Sequence, residues 1–248
     1  MNLEQLKNYN IFKEELLSLE LLKNQGFNNI SYLLKTTKKI YVIRVFKSNE
    51  SVNISREFEY KIQKKAYKKN IASKPIFLNK EFMIYEYEKG IHKTKLSNFE
   101  LKELILKVKK FHKFKIKEKP YNLLLDLKNY SQKLTNKKSK KLINSCYKSL
   151  QILKKYKYNF VLTHHDLNPK NIIFNETGFK IIDWEYAGMN DSFFDLASIC
   201  IEFKLNKNEE KIVLNSYFKT KKSYHKIKLK HYKIIYDSFC KLWFEANS

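Results

Sequence analysis

The sequence predicts an α+β protein of two lobes, on three observations. Strand-like segments dominate residues 1–90, helical apolar spacing dominates the remainder, and Gly90 separates the two patterns. A chain of 248 residues can bury a sizeable core in one large domain or in two small domains packed together. We therefore expect a small antiparallel-sheet lobe over 1–90, a larger and mainly helical lobe over 91–248, and a hinge between them.

The first lobe is expected to hold five strands and two helices. Apolar residues recur at helical spacing over 3–16, and 52–69 reads as a basic amphipathic helix. Strand-like patterns follow one another in the segments LSLELLK, ISYLLKT and KIYVIRVF, with two more strands in KPIFLNKEFMIYEY. In the third segment, Tyr41, Ile43 and Val45 alternate with Val42 and Arg44 at a period of two. The first 90 residues thus look like a small antiparallel sheet with an inserted helix.

The second lobe begins with a helix that Ser97 and Glu100 can cap reciprocally, and this helix is expected to reach about Lys115. Two further helices are expected over 121–135 and 138–156. Short apolar strands and polar loops then occupy the segment FVLTHHDLNPKNIIFNETGFKIIDWEYAG, and the pattern is helical again from Ser192 onward.

Composition excludes several classes of protein. An apolar fraction of 43% with many aromatic residues argues against a disordered polycation. No apolar run approaches the roughly 20 residues of a membrane span, and the first ten residues do not resemble a signal peptide. The three cysteines are far apart and lack metal-ligand spacing, so we expect a reduced, cytoplasmic protein.

The formal net charge of +25 raises the possibility of a nucleic-acid partner. However, 48 of the 50 basic residues are lysines spread over nearly every helical segment, and only Arg44 and Arg56 are arginines. Proteins that read base edges favour arginine for its bidentate geometry. The charge pattern therefore favours a solvated basic surface over a dedicated nucleic-acid site.

Aspartate is scarce and clustered, with four of the six aspartates between Asp166 and Asp195. Asp166 and Asn171 bracket a Pro-containing loop, and a short hairpin returns the chain to Asp183. Amide and carboxylate oxygens suit Mg²⁺, so Asn171 and Asp183 are candidate metal ligands. Asp166 is then left to accept or orient a hydroxyl proton, which is what phosphoryl transfer requires.

Two other interpretations of this segment are open. The loop could be purely structural, with its carboxylates capping turns and helices, as Asp191 and Asp195 are expected to do. Alternatively, His164 and His165 could bind a hydrolytic metal, which would need a third ligand close by. The presence of both Asn171 and Asp183 favours phosphoryl transfer, with His164 as a loop anchor.

The segments HHDLNPKNIIF and IIDWEYAGMNDSFFDLA resemble the choline kinase branch of the aminoglycoside phosphotransferase-like kinases. The pattern H-x-D-x-x-x-x-N marks that whole superfamily. The narrower pattern D-W-E-Y-A-G-M-N-D followed by F-D-L-A is similar to bacterial choline and ethanolamine kinases, with thiamine kinases close to them. The resemblance implies a two-lobed protein-kinase-like fold, with Asp166 catalytic and Asn171 and Asp183 holding Mg²⁺.

The resemblance also implies an ATP site in the first lobe. Residues 25–32 resemble the family's nucleotide loop, G-G-L-T-N-x-x-Y, although Gln25 and Asn28 stand where that loop has Gly and Thr. The segment 56–59 is similar to a helical R-x-x-E motif, which makes Glu59 the expected partner of Arg44, and the strand at 82–88 leads to the adenine contact. The implied nucleotide-binding residues are Gly26, Phe27, Asn28, Asn29, Arg44, Glu59, Glu86, Tyr87 and Glu88.

For the acceptor, the resemblance implies choline and a product phosphocholine. A quaternary ammonium cannot donate hydrogen bonds, so its pocket needs aromatic faces and a carboxylate. The implied acceptor residues are Trp184, Glu185, Tyr186, Glu202 and Trp243. Cys240 stands where the family often has the first aromatic residue of W-x-x-W, so ethanolamine and thiamine are alternatives. A catalytically inactive kinase fold that binds nucleic acid through lysines is the alternative from another class; the oligomeric state is open.

Overall fold

The computed structural model describes residues 1–23, 25–26, 28–47, 55–220 and 222–247. The chain divides into two compact units, the first formed by Met1–His92 with Ile172–Tyr186 and the second by Lys93–Asn171 with Ala187–Ser248. The first transition lies close to the hinge expected at Gly90. The sequence pattern, however, did not separate Ile172–Tyr186 from the second lobe.

The secondary structure is mixed, as the sequence predicts. In chain order the helices and strands are α1 (Leu3–Lys7), β1 (Leu16–Leu21), β2 (Asn29–Thr36), β3 (Ile40–Phe46), α2 (Arg56–Tyr67), β4 (Pro75–Leu78), β5 (Phe82–Glu86), α3 (Asn98–Phe111), α4 (Leu123–Lys133), α5 (Lys137–Leu153), β6 (Phe160–Thr163), β7 (Ile172–Asn175), β8 (Gly178–Ile181), β9 (Gly188–Asp191), α6 (Phe193–Glu202), α7 (Lys207–Tyr217) and α8 (Ser223–Asn247).

The first unit is built on a five-stranded antiparallel sheet with the order β1-β2-β3-β5-β4, which confirms the predicted sheet. β3 is the central strand of this sheet. Its residues are buried on both faces, as expected of a strand rich in β-branched residues that is covered on both sides. Leu34, Ile43 and Ile84 form part of the core on one face. Because side chains alternate along a strand, the Arg44 side chain lies on the opposite face of the sheet from Ile43.

The hairpin of β7 and β8 is anchored in the first unit by main-chain hydrogen bonds. Ile91 and Phe174 exchange a pair of them at 2.9 Å, and Ile181 N–H donates to the carbonyl of Ile71 at 2.8 Å. A Cβ atom at Gly90 would collide with the Phe174 carbonyl, so a side chain there would push the hairpin away. These contacts fix the strand that leads directly into Asp183.

The helix predicted over 3–16 is wrong in its length. α1 ends at Lys7, Asn10 adopts a left-handed backbone with φ of 50°, and β1 begins at Leu16. Asparagine tolerates this conformation and stops a helix, so the apolar residues that follow join the sheet instead. The helix predicted over 52–69 begins at Arg56 with Ser55 as its N-cap; the earlier residues of that range lie outside the described part.

The second unit is mainly helical. The capping box of Ser97 and Glu100 is confirmed at the start of α3, which ends at Phe111, before the expected limit. α8 packs against α5 and α6, and α6 is buried on all sides, as its apolar sequence requires. α6 carries Asp195 in its first turn and Glu202 at its end. Within the described residues, no helix is both long and apolar enough to cross a membrane.

Candidate active site

Two asparagines in the loop after β6 orient the Asp166 carboxylate by donating a hydrogen bond to each of its oxygens. Asn168 Nδ2 donates to Oδ1 at 2.8 Å, and Asn171 Nδ2 donates to Oδ2 at 2.7 Å. The Asn171 amide also donates to the Asp166 carbonyl at 2.9 Å, from the short 3₁₀ turn Pro169–Asn171. Because these bonds run through Nδ2, Oδ1 is the atom that Asn171 can offer to a cation.

Asp195 anchors this loop through its main chain, a role that sequence reasoning missed. Its carboxylate accepts the backbone N–H groups of His164 and His165 at 2.8 and 3.0 Å, and His112 Nε2 lies 3.0 Å away. Burial acts to raise the pKa of Asp195, but the hydrogen bond and charge of His112 and the donors of the loop hold it below its ordinary value. The sequence signal that could have identified this anchor was the presence of two motifs, Phe111-His112 and the F-D-L-A segment that contains Asp195.

The two histidines of the loop have structural partners. His164 is fully buried, and its Nδ1 accepts the Asp166 N–H at 3.3 Å. The Nε2 atom of His165 lies 3.0 Å from Thr163 Oγ1 and 2.9 Å from Asn190 Nδ2. Across the described ranges, no group of three His, Cys, Asp or Glu side chains is placed to hold a metal ion. The geometry gives no support to the alternative of a histidine-bound hydrolytic metal.

In the first unit, Arg44 joins Asp183 to Glu59. Its Nη1 donates to Asp183 Oδ1 at 2.6 Å, and Nη2 forms an ion pair with Glu59 Oε1. The predicted pairing of Arg44 with Glu59 is confirmed. Burial acts to lower the pKa of Arg44, but Glu59, Asp183 and Glu185 raise it well above its usual value, so the guanidinium is always charged.

Asp183 combines exposure with backbone strain. The Asp183 side chain is 34% exposed, against 5% for Arg44, so its carboxylate is accessible from solvent. Its φ of 63° lies in the left-handed region, which costs a non-glycine residue of order 1 to 3 kcal/mol. Such a conformation persists where the surroundings hold it. An accessible carboxylate oxygen fits the ligand chemistry of Mg²⁺.

The predicted nucleotide loop is held by its own side chains. Gln25 closes the loop onto Ser31, accepting its N–H at 2.7 Å and donating to its carbonyl at 3.0 Å. The Asn28 and Asn29 amides donate to opposite oxygens of Glu185, at 3.0 and 2.9 Å. The Gly26 carbonyl accepts from Lys47 at 3.2 Å. Phe27, also predicted here, lies outside the described residues.

The residues predicted to contact adenine lie at and just after the end of β5. The N–H of Glu86 donates to the Lys74 carbonyl at 2.9 Å, and the N–H of Tyr87 donates to Ile40 at 3.0 Å. Both donors therefore belong to the sheet and are used there. Glu88, the third predicted residue, follows the end of β5.

Three predicted acceptor residues lie in the first unit, two of them in its interior. Trp184 has no exposed surface, and its Nε1 donates to the Ile181 carbonyl at 3.0 Å. Glu185 is buried against Arg56 and the two asparagines of the nucleotide loop. The Tyr186 hydroxyl accepts a hydrogen bond from Asn28 at 2.7 Å. We therefore assign Trp184 to packing, because an indole buried on all sides offers no face to a ligand.

The other two acceptor residues lie in the second unit. Glu202 is half-buried and accepts the Tyr236 hydroxyl at 3.0 Å. Burial raises the pKa of Glu202, and the nearby charges of Asp166 and Asp237 raise it further. The structure thus brings Glu202 into the electrostatic range of Asp166. Trp243 packs edge-on against Phe244, with the ring centroids 5.2 Å apart.

Most of the chain matches a known family, and curated relatives match all or part of that stretch. The sequence profile described as Choline/ethanolamine kinase matches residues 16–239. The chain is 26% identical over 228 residues to the Protein LicA homolog of Mycoplasma capricolum, covering 90% of this chain and 88% of that relative. It is 36% identical over 85 residues to Protein LicA of Haemophilus influenzae, a match that covers 33% of this chain and only 32% of that relative.

Solved structures share the fold. The crystal structure of choline kinase LicA from Streptococcus pneumoniae is similar with a TM-score of 0.82 at 24% identity, covering 98% of this chain and 90% of that chain. A structure of LicA in complex with AMP has a TM-score of 0.77 at 25% identity, covering 98% and 88%. Because the profile spans most of the sequence, this chain belongs to the choline/ethanolamine kinase family, whose members are phosphotransferases that act on an alcohol acceptor.

Proposed function

We propose that this chain transfers the γ-phosphoryl group of ATP to the hydroxyl of choline, with Mg²⁺ as cofactor. The observation that carries the choice of a cationic alcohol is the environment of Glu202. This carboxylate is half-buried, bonded to Tyr236, and within the field of Asp166 in the same unit. A cation bound there would relieve the repulsion between the two carboxylates, and its own hydroxyl would be held near Asp166.

A quaternary ammonium also needs an aromatic face, and α6 and α8 carry the aromatic residues of this region. The ring of Tyr236 meets that of Phe194 edge-on, with centroids 5.7 Å apart, and Trp243 lies seven residues further along α8. Tyr236 is itself buried, so its role is to donate its hydroxyl to Glu202 and hold that carboxylate in place. Each cation–π contact is worth about 0.5 to 2 kcal/mol. We assign Glu202 and Trp243 to the acceptor site, and Tyr236, which sequence reasoning missed, positions Glu202 there.

Asp166 accepts the proton of the acceptor hydroxyl in the proposed reaction. As that oxygen forms its bond to the γ-phosphorus, the bond between the γ-phosphorus and the bridging oxygen breaks, and ADP leaves with the electron pair. The hydrogen bonds from Asn168 and Asn171 hold the Asp166 carboxylate in one orientation for this step. Phosphocholine and a protonated Asp166 are the result, and the proton then passes to solvent.

The donor sets for Mg²⁺ and ATP fit the residues present. Asn171 offers an amide oxygen and Asp183 an accessible carboxylate, and both are hard ligands. Bound Mg²⁺ would offset charge on the phosphates. Arg44 Nε is buried and has no hydrogen-bond partner in the described part of the chain, so it is a donor that a phosphate oxygen can satisfy. The AMP complex of LicA supports nucleotide binding of this type.

The choice among acceptors rests on charge and hydrogen bonding. Choline is favoured by the similarity to choline kinase LicA, with Trp243 as the proposed aromatic partner of its ammonium. Ethanolamine is the first alternative, because its ammonium could donate to Glu202 and would not need the aromatic residue that Cys240 replaces. Thiamine is the second alternative, since its cationic ring would also bind among aromatic faces.

The deciding experiment is a coupled assay of ADP release by the purified chain. Choline, ethanolamine, thiamine and an aminoglycoside are compared at matched concentrations, with the Asp166→Asn variant as the background. We expect the highest kcat/KM with choline. A higher value with ethanolamine or thiamine would reassign the acceptor. Absence of acceptor-dependent ADP release from all four, with salt-sensitive RNA or DNA binding, would overturn the proposal in favour of a nucleic-acid-binding protein.

A further inference from the structure

A set of five side chains in the first unit, four of them buried, links the nucleotide loop, α2 and the segment after Asp183. We name this set the clasp, and its members are Asn28, Asn29, Arg56, Glu185 and Tyr186. Arg56 Nη1 pairs with Glu185 Oε2 at 2.9 Å, and Nη2 donates to Asn29 Oδ1 at 3.0 Å. Together with the amides of Asn28 and Asn29, these bonds satisfy both carboxylate oxygens of Glu185.

Burial makes the clasp energetically demanding. Arg56 is 7% exposed and Glu185 is 8% exposed, so water contributes little to either charge. The Glu185 carboxylate instead faces the Arg56 guanidinium and the amides of Asn28 and Asn29. Removing one partner of such a pair leaves an uncompensated charge in the interior.

Glu59 connects the clasp to the predicted phosphate site through two bridges. It pairs with Arg44, which holds Asp183, and with Arg56 Nη1 at 3.1 Å, which holds Glu185. Asp183 and Glu185 are separated by one residue, so both bridges run from α2 to the same short segment. The strained backbone at Asp183 is thus held on both sides, as such a conformation requires.

We propose that Arg56 and Glu185 are positioning residues that hold Asp183 for Mg-ATP, and that Glu185 does not bind the acceptor. The inference rests on the proposed function. The two guanidinium groups face three carboxylates, those of Glu59, Asp183 and Glu185, so the cluster has one negative charge in excess. A divalent cation at Asp183 would offset that charge, which couples the clasp to metal binding and not to the acceptor.

The departure at Asn28 from the family's loop pattern fits this role. The side-chain amide nitrogen of Asn28, Nδ2, donates two hydrogen bonds, one to Glu185 at 3.0 Å and one to the Tyr186 hydroxyl at 2.7 Å. A threonine at this position would have a single hydroxyl donor and could not serve both. Asn28 therefore extends the clasp to Tyr186, and its side chain is committed to the protein.

The test is a double-mutant cycle on the affinity of Mg-ATP, measured by calorimetry without acceptor. Arg56→Met and Glu185→Gln are each expected to weaken binding by about 10- to 100-fold, as outer residues of metal sites do. The double variant should be no more than about threefold weaker than the worse single variant, because the two share one interaction. Lys61→Met and Glu57→Gln, on the exposed face of α2, serve as controls with unchanged affinity.

Two outcomes of the cycle would overturn the proposal. Single variants that bind Mg-ATP within twofold of the wild type would remove the coupling, and effects that multiply in the double variant would show independent roles. Affinity for ATP without Mg²⁺ is measured in parallel. It should change less than the affinity for Mg-ATP, and an equal change would also contradict the positioning of a metal ligand.

A second measurement separates positioning from acceptor binding. Selectivity for choline over its neutral isostere 3,3-dimethyl-1-butanol should be the same in Glu185→Gln and the wild type. A loss of that selectivity would make Glu185 an acceptor ligand and overturn the proposal. Tyr186→Phe and Asn28→Thr remove single contacts of the clasp, so they test it if Arg56→Met fails to fold. Each should weaken Mg-ATP about two- to fivefold, and unchanged affinity in both would overturn the proposal.

Failure of the clasp and failure of the proposed function give different results. If the wild type phosphorylates none of the four acceptors, the proposed function fails, while the Mg-ATP cycle still measures coupling between Arg56 and Glu185. If the wild type phosphorylates choline but the cycle shows no coupling, only the inference on the clasp fails.

Discussion

Asn171 donates a hydrogen bond from its side-chain amide to the carboxylate of Asp166 across 2.7 Å. This relationship joins the proposed base to a proposed metal ligand. Rotation of the amide would both release Asp166 and withdraw Oδ1 from a cation, so one side-chain conformation serves two roles. The short turn Pro169–Asn171 sets the spacing that permits it.

Loss of the Asp166 carboxylate is expected to remove turnover and to spare nucleotide binding. Asp166→Ala should lower kcat by about 10²- to 10⁴-fold, the usual contribution of a positioned base, while the affinity for ATP stays within twofold. Steady-state kinetics and calorimetry measure the two quantities. Glu118→Ala, an exposed carboxylate of the same unit, is the control. Wild-type rates in Asp166→Ala would refute the mechanism.

Asp183→Asn is expected to weaken the binding of Mg-ATP, because it removes the charge that a divalent cation requires. The concentration of Mg²⁺ needed for half-maximal activity should rise about 10- to 100-fold. Glu176→Gln, an exposed carboxylate in the turn between β7 and β8, should leave this concentration unchanged. An unaltered Mg²⁺ requirement in Asp183→Asn would exclude Asp183 as a ligand.

Glu202 should make choline binding depend on pH. Burial, Asp166 and Asp237 raise its pKa, so Glu202 takes up a proton above the usual range of a glutamate and the cation then binds less well. The KM for choline should therefore rise as the pH falls through that raised pKa. Glu202→Gln should have a high KM at all pH values, and a retained pH dependence in this variant would assign the titration to another group.

Glu202 should also make the stability of the protein depend on pH, and here its ionised form is the unfavourable one. An acid whose pKa is raised on folding binds more protons in the folded state, so its contribution to stability falls as the pH rises from the unfolded value of about 4.5 through the folded one. Glu202→Gln removes this penalty and should raise the Tm at neutral pH. Thermal unfolding at several pH values measures the effect. A Tm of Glu202→Gln that is equal to or lower than that of the wild type at neutral pH would contradict an electrostatic penalty at Glu202.

Asp195 should stabilise the protein in a pH range set by its lowered pKa. Its contribution is complete above the unfolded value of about 3.8 and is lost as the pH falls through the folded value. Asp195→Ala leaves two loop N–H groups and the Nε2 atom of His112 unsatisfied in the interior, at a cost of about 3 to 5 kcal/mol. Urea unfolding at neutral pH measures the loss in the free energy of unfolding. A loss of less than about 1 kcal/mol in Asp195→Ala would contradict the anchoring role of Asp195.

Local sequence determined the elements whose signals lie within a few residues. Ser97 and Glu100 satisfy each other's backbone groups at the start of α3, and alternation along β3 fixes which side chains face the core. The same local reading failed at 3–16, where a helical period continued past Asn10 into a strand. Apolar spacing in a short segment cannot by itself decide between a helix and a sheet that is completed by distant strands.

Residue types and spacing alone placed Asp166, Asn171 and Asp183 as a candidate site, because few arrangements use an amide and two carboxylates around such a loop. Tertiary structure decided which side chains those residues meet. Ile172–Tyr186 belongs to the first unit since its hydrogen bonds go to Ile71 and Ile91, and Glu185 was drawn into the clasp by Arg56, 129 positions away. Buried charges choose partners by distance in space and by desolvation, and a linear pattern records neither.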